Sequence, residues 1–126
     1  MNTVRWVILA AAVEPAVTGL ILIISPSLFA WLVLGGELSE PGQVLGRLAG
    51  IVLLSLALAC WPAPPAASYP ASSIRALFIY NLLATIYLTY VGVSHAATGI
   101  LLWPAVALHV ILTILVVRVW LAGDGK

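Results

Sequence analysis

The sequence predicts an all-α protein, a four-transmembrane-helix bundle with a short interfacial helix between helices 1 and 2. Four apolar runs, at about residues 4–24, 42–61, 73–93 and 99–120, carry most of that prediction. Each holds close to the roughly 20 residues that a helix rising about 1.5 Å per residue needs to cross about 30 Å of hydrocarbon. Composition agrees, with 63% hydrophobic and only 7% charged residues, against about 25% charged in a soluble domain. Glu14, Asn81 and His109 also stand alone near the centres of their runs. A polar group at that depth is costly and belongs in a bundle interior, where it marks a candidate site.

Residues 1–126 are expected to form a single integral membrane domain. Its first run resembles a secretory signal at Met1–Ala12, but Glu14-Pro15 interrupts it and the apolar stretch resumes to Ile24, so it is expected to be a retained helix. Ser25-Pro26 ends that helix and opens the next segment, with Pro26 suited to the first position after a serine cap. Segment 26–34 is apolar but too short to span, and Gly35-Gly36 ends it, so a helix lying at the interface is expected. Ser39-Glu40-Pro41 caps and opens the second span, and Trp61-Pro62 closes it. The stretch 62–72 contains Pro62, Pro64, Pro65 and Pro70 and reads as a stiff extended connector. Ser72 or Ser73 caps the third span. Thr98-Gly99 opens the fourth, where Pro104 falls about a turn and a half inside and leaves room for a mild bend but not a break.

Charge and aromatic placement give the orientation. With the N-terminus in the cytoplasm, Arg5, Arg75, Arg118 and Lys126 collect inside, whereas the outer side has Glu37, Glu40 and only Arg47. The five tryptophans then fall at interfaces, Trp6, Trp61 and Trp120 inside and Trp31 and Trp103 outside. The expected location is the inner membrane of a bacterium, with both termini cytoplasmic.

Several function classes find no support. The net charge of +1 and the lack of a basic run argue against nucleic acid as a partner. The single Cys60 rules out an internal disulfide or a CxxC motif. Of the two histidines, His95 belongs to the outer loop, and His109 lies about 15 Å deeper along helix 4. They do not suit one haem, and no metal-ligand spacing or phosphate-cradling glycine loop is present. No metal and no cofactor is expected. The expected partners are the lipid bilayer and, beyond it, a membrane protein or a second copy of the chain.

The ligand- or proton-site candidates are Glu14, Arg47, Tyr80, Asn81, Tyr87 and His109. Ala10, Ala11 and Thr18 lie on the face of Glu14 and let another helix come close. Pro15 cannot donate to the carbonyl of Ala11, which frees an acceptor in mid-span. Arg47, flanked by Gly46 and Gly50, is the expected cation for Glu14 if helices 1 and 2 pack antiparallel. Asn81 and His109 are expected to face each other across a hairpin of helices 3 and 4, with a His–Asn or His–Tyr hydrogen bond. In one reading these residues are a register-holding tie. In the other they bind a proton or ligand.

The four spans, the Pro26-Ser-Leu-Phe29 segment running to Gly35, and Arg47-Leu-Ala-Gly50-Ile-Val-Leu-Leu54 at the second span resemble the DoxX-like small bacterial membrane proteins. That resemblance implies a partner or accessory role in membrane redox or export systems and assigns no catalytic residue. A lone carboxylate in helix 1 is also similar to small multidrug resistance transporters, where it exchanges protons for cationic drugs. This chain departs from them in Arg47, in Pro15 directly after Glu14 and in lacking the Trp-x-Gly pattern of helix 3. The expected function is thus a small membrane accessory or ligand-binding protein. A proton-coupled transporter using Glu14, or an enzyme on a lipid-soluble substrate such as a quinone, is the alternative.

Overall fold

The structure is a computed structural model that describes residues 3–62 and 69–123. Most of the proline-rich connector and Lys126 lie outside the described residues. Five helices follow in order: α1 Thr3–Ile24, α2 Pro26–Phe29, α3 Glu40–Ala59, α4 Ala71–Val93 and α5 Leu102–Gly123. All but α2 are long and apolar enough to cross a membrane, as expected of a multi-pass membrane protein.

Local chemistry sets the boundaries. Ser25 closes α1 with its N–H on the Ile21 carbonyl, 2.7 Å, and its hydroxyl accepts from Leu28 N at 3.4 Å, with Pro26 in the first turn of α2. The chain then widens into a single π turn, Ala30–Leu34. Gly35 stops it at φ 79°, a left-handed backbone that glycine adopts without steric cost, and its N–H bonds Ala30 O at 2.8 Å. Ser39 caps α3 through Gly42 N, 3.3 Å, with Glu40 in the first turn.

The fourth span starts later than its sequence suggests. Backbone N–H groups of Thr98 and Leu101 bond the carbonyls of Leu34 and Leu32, at 2.9 and 2.8 Å, so this stretch seals the end of the π turn rather than joining α5. With α5 opening at Leu102, Pro104 occupies its first turn. No intrahelical N–H is needed there, so the proline gives no reason for a bend.

The helices associate as two hairpins, α1 with α3 and α4 with α5, joined by contacts of α1 with α5 and α4. At the α1–α3 crossing, a Cβ on Gly50 would lie 2.6 Å from the Gly19 carbonyl and one on Gly19 would lie 2.7 Å from the Gly50 carbonyl. Only a pair of glycines lets the backbones meet there, the close approach that small residues give to membrane helices. The other faces of α3 stay open: Val44, Leu45, Leu48, Ile51, Val52 and Leu58 are all exposed to the surroundings. Two apolar clusters fill the interior. One joins Val7, Ile8, Ala11, Cys60, Leu77, Leu112 and Val116; the other joins Val33, Val91, Ala97 and Leu102 at the opposite end. The polar residues meet between them.

Candidate functional site

Glu14 organises the site. It lies midway along α1, directly before the fully buried Pro15, and its side chain is only 8% exposed. Thr18, one turn further along α1, donates its hydroxyl to Oε1 at 2.8 Å. Tyr80 of α4 donates its phenol to Oε2, also at 2.8 Å. Imidazole Nε2 of His109, on α5, stands 3.6 Å from Oε1 with its side chain 6% exposed. One carboxylate thus gathers side chains from three helices. The 3.6 Å separation is within ion-pair range but longer than a direct hydrogen bond.

The geometry fixes the imidazole. Nδ1 of His109 lies 2.8 Å from the carbonyl oxygen of Ala105, one turn back on α5. A carbonyl only accepts, so Nδ1 carries the hydrogen and Nε2 faces the carboxylate. The Tyr80 ring meets the imidazole edge-on, with centroids 5.8 Å apart and planes at 66°. Thr113 donates to the His109 carbonyl at 2.7 Å and Thr85 to the Asn81 carbonyl at 2.8 Å, so these two threonines serve their own helices.

Of the six sequence candidates, the structure brings Glu14, Tyr80 and His109 together and leaves the others apart. Asn81 is fully buried, but its amide donates to Leu77 O at 2.9 Å rather than to His109, and its Oδ1 has no protein partner. Tyr87 is 65% exposed and outside the cluster. Arg47 is the largest correction. It is exposed, and its Nε donates to the carbonyl of Ile23 at 3.3 Å, not to Glu14.

Two geometrical facts separate Arg47 from Glu14. Antiparallel pairing through Gly19 and Gly50 sets Arg47 level with Ile23, nine residues beyond Glu14 and therefore about 13 Å away along the axis. Glu14 also precedes Gly19 by five residues, about 140° around the helix at about 100° per residue. Its side chain leaves α1 on the side of α4 and α5. Thr18 is the residue that sequence reasoning counted only as small. Its position four residues after a buried acid is the signal for a hydroxyl donor.

A cleft of about 230 Å³ lies elsewhere, at the elbow of α1 and α2, lined by Val17, Leu20, Ile21, Ile24, Ser25 and Leu28. None of the cluster residues lines it. In the comparisons with known proteins, no family model, no curated protein and no solved structure matches this chain.

Proposed function

We propose that this chain is an integral membrane accessory or ligand-binding protein whose interior cluster holds a proton on the Glu14–His109 pair. The carrying observation is the carboxylate of Glu14, which accepts from Thr18 and Tyr80 while facing His109 Nε2. A bare carboxylate opposite an imidazole lone pair, in hydrocarbon, carries an uncompensated charge that costs several kcal/mol. One proton resolves this, either on Nε2 as an ion pair with the carboxylate or on the carboxyl itself, facing the neutral Nε2. Both arrangements leave the site neutral overall and tie α1 to α4 and α5. An accessory role fits a small unit held rigid by such a tie, with the open apolar faces of α3 turned to lipid or to a membrane partner. The resemblance to DoxX-like proteins supports the same role.

The membrane assigned to the chain is the bacterial inner membrane, with both termini cytoplasmic. The bias of Arg5, Arg75, Arg118 and Lys126 against Arg47 supports it, as do Trp6, Trp31, Trp61 and Trp103, which are all exposed and suited to anchoring at the interfaces.

A second reading, proton-coupled transport, draws on the same shared proton, because a carrier must release and rebind one at each cycle. Infrared spectroscopy in H₂O and D₂O, comparing wild type with Glu14→Gln, separates the two. A tie keeps its proton, so the bands that Glu14→Gln removes are expected to exchange hydrogen slowly. Rapid exchange at those bands would replace the accessory reading with transport or proton-linked chemistry.

A further inference from the structure

Arg47, displaced from the interior cluster, stands where a different ligand is required. It is the eighth residue of α3, about 10 Å along the helix from Glu40. Its neighbours on the open side of α3 are Val44, Leu45, Leu48 and Ile51, between 52% and 65% exposed. Level with Ile23 at the end of α1, a guanidinium on this lipid-facing surface reaches the interface by snorkelling, where the phosphates of the lipids offer an anionic partner. Among the described residues no anion pairs with Arg47, and its one bond there runs from Nε to Ile23 O.

That bond orients the rest of the group. Ile23 is among the last four residues of α1, whose carbonyls have no donor within the helix, and Pro26 beyond it has no N–H to offer. Arg47 therefore caps the negative end of α1 with Nε, which turns the rest of its planar fork away from the helix. Its two Nη groups, with four N–H donors, are left at the boundary of the hydrocarbon. A rigid fork of this kind matches two oxygens of a phosphate. We propose that Arg47 binds the phosphate of a phospholipid headgroup, in the leaflet at the α1–α2 end of the bundle. The site is independent of the interior proton and would stand if that reading failed.

Native mass spectrometry of the full-length chain tests this. Palmitoyl-oleoyl phosphatidylglycerol is the probe, with diacylglycerol of the same chains as the phosphate-free control and inorganic phosphate as competitor. Wild type is expected to retain one phosphatidylglycerol about tenfold more strongly than Arg47→Gln, as loss of a charge-assisted pair implies. Diacylglycerol is expected to be lost, and millimolar phosphate to leave the lipid in place. Equal retention by Arg47→Gln, or retention of diacylglycerol, overturns the proposal; displacement by inorganic phosphate overturns the lipid assignment in favour of free phosphate. Because Arg47→Gln also removes the cap on α1, a second measurement uses the wild-type protein in bilayers. The guanidinium ¹⁵N signal assigned by its loss in Arg47→Lys, which keeps a cation at the position, should be dephased by lipid ³¹P in the wild-type protein, and an undephased signal overturns the proposal.

Discussion

Tyr80→Phe removes a single oxygen and keeps the ring that meets His109 edge-on. What it loses is a 2.8 Å phenol-to-carboxylate bond between α4 and α1 in a part-buried site. Hydrogen bonds to charged groups contribute about 1.5–3 kcal/mol in soluble proteins, whereas interhelical bonds in membranes average about 0.6 and reach about 1.7. The Tyr80 bond belongs near the upper end of the membrane range, because Glu14 is almost fully enclosed and its second oxygen is already committed to Thr18. A loss of about 1–2 kcal/mol is therefore expected in wild type. In a Glu14→Ala background the phenol has no acceptor left to lose, and Tyr80→Phe should cost close to nothing. The coupling energy from this double-mutant cycle should thus be about 1–2 kcal/mol. Reversible unfolding in mixed micelles, followed by circular dichroism, reads all four corners. Equal costs of Tyr80→Phe in the two backgrounds would refute the bond as a tie between the helices.

Arg47→Ala and Glu14→Ala should be additive within about 0.5 kcal/mol in the same assay, since the two residues lie on different faces and at different depths; a large coupling would restore the direct pair. Gly50→Ala places a Cβ 2.6 Å from the Gly19 carbonyl and must push α3 off α1, so a loss of about 1–3 kcal/mol in unfolding free energy is expected. In a Cys60→Ala background, a cysteine at Ser94 should react with an impermeant reagent from outside the cell and one at Ala71 should not. The reverse pattern would invert the orientation.

The four spans were legible because their evidence is local: an apolar run of the right length, bounded by a serine cap, a proline or a glycine, forms a helix whatever its neighbours do. Ser25, Ser39 and Gly35 act where their residue types imply. The opening of α5 was not legible. Thr98 and Leu101 spend their N–H groups on the π turn, a tertiary contact that no helix signal in the segment reveals. For the site, depth was readable and direction was not. Glu14 and His109 stood at mid-span and meet there, but a residue's depth in its own span does not state which neighbour its face turns to. Arg47 was misplaced for that reason. Its register is set by the Gly19–Gly50 contact, and the face of Glu14 by the packing of α1 on α4 and α5. Asn81 shows the complementary effect, since a buried amide can turn to its own helix and satisfy its donor on Leu77 O without a partner across the bundle.

Solid-state ¹⁵N NMR of the two histidines in bilayers bears most directly on the proton at Glu14. His109 should show Nδ1 protonated and bonded to a carbonyl, with Nε2 shifting when Glu14 is replaced by Gln. His95, in the loop after α4, is the internal control and should not move. An Nε2 signal of His109 that ignores Glu14→Gln, or an Nδ1 without hydrogen, would contradict a proton held between the carboxylate and the imidazole.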